Sequence, residues 1–449
     1  MSCRARYRRW FFAAVAAFAC SSGWAADFIV TNTLDDGDVI PGDGKCQALG
    51  IDDLAHACTL RAAIMEANAL GGSSNIALPE GSYALTVIGI NEDNAYTGDL
   101  DIRADITIVN GTTSFPVIKQ TIKDRVFDVH PGGRLVLRHV YVRDGRAQEL
   151  ADPRGGGIRG AYGSELTLER THVLRNWARQ GGGIFSEGAV TLIDSNVRSN
   201  AIVDATPDAT SNGSGVAMER SIIGPAKLTM TRSSMTFNGQ LSSVANVVPN
   251  TYALVLSDGA TAQLENSTLA YNERGVWAYN GSQLDMRHVT IASNYGFGLR
   301  FDEGPGSELQ LFVRHSVIAD NEGIAECRSA GAMFLAPGLV QLDIADGSNA
   351  STDPSCGFSG VSDVALMDSP FLTGLHSADV GQYIVPDPTK GLVDAGDVAC
   401  SSAEDQRELP RPINSLGLEQ AHCDIGAVEY DALIDPAPSA DIFSDGLED

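Results

Sequence analysis

Six asparagines close one spaced pattern, and that pattern restricts what this chain can fold into. They are Asn176, Asn200, Asn238, Asn272, Asn294 and Asn321. Three residues before each stands an apolar side chain: Val173, Val197, Met235, Leu269, Ile291 and Ile318. Five before stand Thr171, Ser195, Ser233, Ser267, Val289 and Ser316, and eight before stand Leu168, Leu192, Met230, Leu264, Met286 and Val313. The asparagines follow one another at intervals of 24, 38, 34, 22 and 27 residues. A seventh unit, Leu135 to Gly145, keeps the register with glycine in place of asparagine. Repeats of this length cannot bury their own apolar face and must stack on their neighbours. Short alternating strands with Gly and Asn corners point to a β-solenoid, not a helical one.

In such a solenoid equivalent positions stack at the inter-strand spacing of about 4.8 Å. A stacked asparagine can hydrogen-bond its own corner and the next asparagine, and it tolerates left-handed backbone angles. The ladder is read as structural.

The chain opens with Arg4, Arg6, Arg8 and Arg9, then an apolar run from Trp10 to Cys20 and small residues to Ala26. That is the pattern of a secretory signal peptide cleaved after Ala25, too short to span a membrane. No later segment is apolar enough to span one. Cleavage would remove four arginines and take the net charge from −26 to −30. Such acidity argues against a nucleic-acid partner, because phosphate neutralisation needs Lys and Arg. It also argues against gripping a polyanion unless cations or a local basic patch take part. Six cysteines remain in the mature chain: Cys46, Cys58, Cys327, Cys356, Cys400 and Cys423. An even number in an exported protein suggests disulfides. Proximity along the chain favours 46–58, 327–356 and 400–423. None falls between 59 and 326, where regular ladders need no staple.

The expected organisation is a signal peptide at 1–25, an N-terminal cap at 26–72 and a solenoid at 73–325. An irregular disulfide-containing C-terminal cap follows at 326–430, then an acidic tail at 431–449. In the first cap, Leu60, Ala63, Ile64 and Ala67 share one helical face, Thr59 precedes them and Gly71-Gly72 end the helix. Cys58-Thr59-Leu60-Arg61-Ala62-Ala63 and the following Ile64 to Ala69 resemble the CSLREA N-terminal region of secreted bacterial β-helix proteins. Thr59 and Ala62 depart from its name-giving motif. Val30 to Thr33 and Gly98 to Ile102 are also similar to that family. Cys423-Asp424-Ile425-Gly426-Ala427-Val428-Glu429 resembles the closing motif of β-helix proteins with a choice-of-anchor Q region, with Val428 where Phe is expected. Ile442 to Glu448 resembles short tails on some secreted gammaproteobacterial proteins, which points to a Gram-negative source. The resemblance implies a right-handed parallel β-helix of pectate-lyase-like fold and brings no catalytic residues with it.

A second strand of each coil opens with Gly and an apolar residue, as in Gly157-Ile158, Gly183-Ile184 and Gly275-Val276. If the apolar residue points inward, its successor points outward. The outward row is then Arg159, Phe185, Ala217, Val255, Trp277 and Arg300. Two residues on, the row holds Glu187, Glu219, Ser257, Tyr279 and Asp302. Aromatic rings beside acids suit a sugar-binding strip, since rings stack on pyranose faces while carboxylates take hydroxyls. Trp277, Tyr279, Phe185 and Arg159 are therefore candidate ligand-binding residues. Glu187 and Glu219 on adjacent coils are candidates for the carboxylate pair a glycosidase needs, and Arg300 with Asp302 for a lyase. Asp93, Asp99 and Asp101 supply hard oxygen ligands that suit a structural Ca²⁺, and no other cofactor is called for. His288 and His315 are expected as stacked neighbours at a corner.

The leading functional reading is a monomeric secreted or cell-surface protein binding glycans or another surface ligand along an exposed strand face. The alternative is a polysaccharide lyase or glycoside hydrolase of pectate-lyase-like fold.

Overall fold

The computed structural model describes residues 26–48, 57–112, 114–204, 213–240, 246–302, 309–323, 325–329, 340–342, 348–358, 363–366, 368–371, 374–378, 381–398 and 400–435. The signal peptide expected at 1–25 and the tail beyond 435 lie outside the described residues. The repeat sets the architecture. Each coil contributes three short strands, as in Glu165–Glu169, His172–Leu174 and Ile184–Ser186. Each pairs in parallel with its counterpart one coil away: Glu165 faces Arg134 on one side and Ala189 on the other. Among the described residues, third strands form a nine-stranded sheet, and first and second strands a 20-stranded one. The chain is a right-handed parallel β-helix.

The apolar positions of the repeat all point inward. Leu168, Leu192, Met230, Leu264, Met286 and Val313 stack on one wall, Val173 through Ile318 on the second, and Ile158, Ile184, Val216, Leu254, Val276 and Leu299 on the third. They belong to one continuous buried core.

Two left-handed residues turn each coil. One stands six residues before the asparagine, running from His139 (φ 56°) and Arg170 (47°) to His288 (50°) and His315 (48°). The other immediately precedes it: Arg175 (55°), Ser199 (51°), Phe237 (55°), Tyr271 (56°), Ser293 (54°) and Asp320 (60°). The asparagine tolerates left-handed angles but does not take one here. Instead its neighbour makes the bend, which leaves the asparagine side chain buried and aimed along the axis. Asn200 Oδ1 accepts from both the backbone N–H and Nδ2 of Asn176, at 3.0 Å each. Asn238, Asn272, Asn294 and Asn321 repeat the arrangement. Each Nδ2 also reaches a backbone carbonyl of the preceding coil, as Asn238 does to Val197 O at 2.8 Å. The ladder ends on Glu326, which accepts from Asn321 Nδ2 at 2.6 Å. A hydroxyl ladder runs beside it through Thr171, Ser195, Ser233 and Ser267.

The helix Leu60–Leu70 closes the first coil. Thr59 caps it, accepting from Ala62 N at 3.1 Å, and Gly71 (φ 65°) ends it. Arg61 is fully buried. It pairs with Asp35 at 2.8 Å and donates to the carbonyls of Ala95, Gly98 and Asp99. Asn68 donates to Asp101 O at 2.7 Å and accepts from Arg103 N at 2.9 Å. The helix thus fixes the backbone of the acidic strand Leu100–Ile102.

The C-terminal part does not sit only at the open end. Ala350–Ser351 and Val364–Ala365 continue the stack. From about Gly381 onward the chain follows the second strands as a strap, from the coil of Ser234 towards those of Thr290 and His315. Gln382 bonds Ser234 and Thr236, Gln406 bonds Thr268, and Ala427 N donates to Thr290 Oγ1. Under it Arg411 and Glu429 form an ion pair with both side chains fully buried. All three disulfides join the cysteines that proximity favoured.

Candidate functional site

The outward row of the nine-stranded sheet is in register as expected, and it is longer. Asp101 stands beside Asp128, then Arg159, Phe185, Ala217, Val255, Trp277, Arg300 and Arg328. The two added coils bring acids to its N-terminal end, at a cleft of about 320 Å³. Its lining includes Asp93, Asp99, Asp124, Arg125, Asp128, His130, Asp152, Arg159 and Tyr162.

The three acids singled out for Ca²⁺ meet here, with partners from other coils. Oxygens of Asp99, Asp101 and Asp128 all lie within 4.8 Å of one another, and so do ligand atoms of Asp93, Asp101 and His130. Asp101 is fully buried; Oδ2 accepts from Ala95 N at 2.6 Å and Oδ1 lies 2.6 Å from His130 Nε2. Asp128 is held between two guanidiniums, Arg125 at 2.5 Å and Arg159 at 2.8 Å. Arg159 also pairs with Asp152 at 2.7 Å. Arg125 lies 3.7 Å from Asp99. Asp124 is 1 % exposed; one oxygen accepts from Arg125 N at 2.8 Å while Oδ2 is buried without a hydrogen-bond partner. Gly98 (φ 66°) is needed beside it, because a Cβ there would lie 2.2 Å from that oxygen.

Crowding of buried carboxylates has the expected electrostatic result. Burial, followed by the charges of Asp124 and Asp101, pushes Asp99 well above the usual carboxylate range, against the pull of Arg125. Burial raises Asp101, opposed by hydrogen bonds from His130 and Ala95 N. Burial also pushes Asp124 up to about 6. An excess of carboxylates, one of them with an orphaned oxygen, is a donor set that fits a hard divalent cation. Asp128 and His130 were not among the residues singled out, although extending the outward row by two coils, to Phe127-Asp128-Val129 and Leu100-Asp101-Ile102, would have found Asp128.

Farther along the face the other candidates separate. Phe185 is fully buried beneath Arg154, whose guanidinium lies 4.4 Å from the ring centroid. It cannot offer a ring to a ligand, because the chain between the coils supplies an arginine that covers it. Arg159 is drawn into the acidic cleft by Asp128 and Asp152. Glu187 lies 3.6 Å from Arg154. Burial raises the Glu219 carboxyl while Arg154 lowers it, so one cation serves both glutamates. Trp277, Tyr279, Arg300 and Asp302 do form one group. Trp277 Nε1 donates to Asp302 at 2.8 Å, Arg300 pairs with Asp302 at 2.6 Å and lies 4.4 Å above the indole, and the Tyr279 ring is 4.6 Å from it. His288 and His315 stack at 4.7 Å as expected, but beneath the strap, with Asp397 3.1 Å from His315.

The family sequence model described as a right handed beta helix region matches residues 156–335. No curated protein matches the chain. The crystal structure of pectate lyase Pel9A is similar over 90 % of this chain and 96 % of that one, with 12 % identity and a TM-score of 0.49. Likeness at that level bears on no residue of the site. The fold and its ladders define a right-handed parallel β-helix protein with one charged and aromatic outer face.

Proposed function

We propose that this is an exported bacterial β-helix protein whose nine-stranded face binds an extracellular polysaccharide, with Ca²⁺ held in the acidic cleft as part of that surface. The observation that carries the reading is one outward row from Asp101 to Arg328 that sets the acidic cleft at one end and the Trp277 group towards the other, with Phe185, Ala217 and Val255 buried between them. Asp99, Asp101 and Asp128 would hold the ion, and Asp93 and His130 flank them. The ion would offset the clustered charge and supply a Lewis-acidic point for sugar carboxylates or hydroxyls. Trp277 and Tyr279 offer partly exposed rings to pyranose faces. Three disulfides support export to an oxidising compartment. The Arg61 and Asn68 contacts to the acidic strand support the reading of residues 58–69 as a CSLREA-type region. The buried Asp424 and Glu429 support that of 423–429 as a choice-of-anchor Q-type closing motif.

A lyase or hydrolase remains the second reading, because Asp124 near 6 and the raised Asp99 sit in a cleft, where perturbed acids accompany catalysis. One panel tests both. The full chain is incubated with neutral and acidic polysaccharides with and without Ca²⁺, read for retention, for absorbance at 235 nm and for new reducing ends. Calcium-dependent retention without products, weakened by Asp101→Asn, is expected for the binding protein. Products lost in Asp124→Asn would make it an enzyme. Absence of both retention and products across the panel would sink the carbohydrate reading.

A further inference from the structure

We propose that the C-terminal end of the nine-stranded face, built by Arg274, Arg300 and Arg328 against Tyr252, Trp277 and Phe297, takes the anionic groups of an acidic polysaccharide directly, without a bridging cation. This rests on the reading of that face as a polysaccharide surface and specifies which polysaccharides it takes. A chain with net charge −26 repels a polyanion unless a local patch reverses the sign. The arginines on the two ends of the row are treated differently. At the cleft, Arg125 and Arg159 are engaged by carboxylates. Five to seven coils beyond Asp128, roughly 24 to 34 Å along the axis at the strand spacing, Arg274 and Arg328 are engaged by rings and Arg300 by a ring and Asp302.

Arg274 lies between two rings, 5.4 Å from the Tyr252 centroid and 5.3 Å from that of Phe297. Its hydrogen bonds go to neutral partners, Asn250 Oδ1 at 2.5 Å, Asn250 O at 3.4 Å and Tyr252 Oη at 3.3 Å. Arg328 is exposed, with its guanidinium 4.9 Å from the same Phe297 ring. Arg300 lies over Trp277. Among the described residues Asp302 pairs with Arg300, and no carboxylate lies within ion-pair distance of Arg274 or Arg328. At Arg274 and Arg328 a guanidinium laid against a ring keeps N–H donors available in a fixed orientation, the geometry that receives a carboxylate or sulfate through two parallel bonds, whereas Arg300 is engaged by Asp302. Arg300 and Arg328 occupy adjacent positions of the row, one strand spacing apart. That arrangement presents guanidiniums in series along the axis, as a polymer with repeated negative groups requires.

The test is affinity electrophoresis of the full chain through gels holding neutral dextran, polygalacturonate or dextran sulfate, in EDTA so that no cation bridges. The expected result is retardation by the charged gels alone, weakened as salt rises. Arg328→Gln and Arg274→Gln should each weaken it about tenfold, the loss of one charge-assisted pair. Arg328 is exposed, so Arg328→Gln should leave the melting temperature unchanged and report on binding alone. Preference between the two charged gels tells carboxylate from sulfate. Equal retardation by neutral and charged glycans, or wild-type retardation of both variants, would overturn the anion site while leaving polysaccharide binding intact. Absence of retardation in every gel, with the calcium-dependent panel also silent, would overturn both.

Discussion

Two outer faces of the same coils carry opposite chemistry. On the nine-stranded face the outward row is Asp101, Asp128, Arg159, Phe185, Ala217, Val255, Trp277, Arg300 and Arg328. On the flank formed by the second strands it is Tyr141, His172, Asn196, Ser234, Thr268, Thr290, Val317 and Ala350. The first row mixes charges and rings. The second turns from rings to small hydroxyls and then to apolar groups, and there the strap seals it with Gln382, Gln406 and Ala427. Outward hydroxyls at strand spacing thus belong to a face that another segment of chain hydrogen-bonds. The charged and aromatic ends of the other row are left for something else, while Phe185, Ala217 and Val255 in its middle are buried. The backbone treats the faces alike, and the side chains that leave it decide which is structural.

The largest effect should come from the sealed flank. Removing one partner of the buried Arg411–Glu429 pair leaves an uncompensated charge and costs on the order of 3–5 kcal/mol. Arg411→Leu should therefore lower the thermal midpoint sharply; an unchanged midpoint would mean the strap is not part of the cooperative fold. Next comes the corner between the faces. Asn238→Ala strips the bonds to Asn200, Asn272 and Val197 O and orphans buried groups, at about 2–4 kcal/mol. Urea unfolding should show it, whereas Arg328→Gln at an exposed position of the nine-stranded face should shift the midpoint far less.

The two faces should also respond to pH with opposite sign. Asp124 has a folded pKa near 6, above its unfolded value of about 3.9. The folded state binds its proton more tightly, so this contribution is present at low pH and lost as pH rises from about 4 to about 6. Ca²⁺ should restore stability above that window, and Asp124→Asn should flatten it. His288, fully buried beneath the strap, is held well below its ordinary value by burial, then by Arg411 and His315. It stays neutral in the folded state, so its contribution is present above about pH 6.5 and lost as pH falls. Melting curves from pH 4 to 8 in EDTA, compared between wild type, Asp124→Asn and His288→Gln, separate the contributions. Identical profiles for all three would contradict the assignment. The smallest stability change belongs to Trp277→Ala, which removes a partly exposed ring; its effect should be a loss of retention on polysaccharide of about tenfold, a ring–sugar contact worth ~1.4 kcal/mol.

Much of the fold was legible because backbone periodicity writes it into the sequence. The asparagine ladder, the three inward walls and the outward row needed only counting, and proximity sufficed for the disulfides. Asp93, Asp99 and Asp101 stood out because they crowd one stretch. Asp124, Asp128 and His130 did not, because they arrive from the next coil and only stacking joins them to the first group. Phe185 was placed on the correct side of its strand, yet Arg154 covers it from a loop whose course no period dictates. The strap was read as an irregular cap for the same reason: residues 381–435 carry no repeat, and their contacts with Ser234, Thr268 and Thr290 are set by tertiary packing.

Hydrogen–deuterium exchange on the full chain, with and without a retained polysaccharide in Ca²⁺, tests most directly the claim that the nine-stranded face is the working surface. Protection gathered in peptides from residues 91–103, 123–131, 275–281 and 298–302, with the strap unchanged, is the predicted result. Protection confined to the strap and the second strands would contradict it.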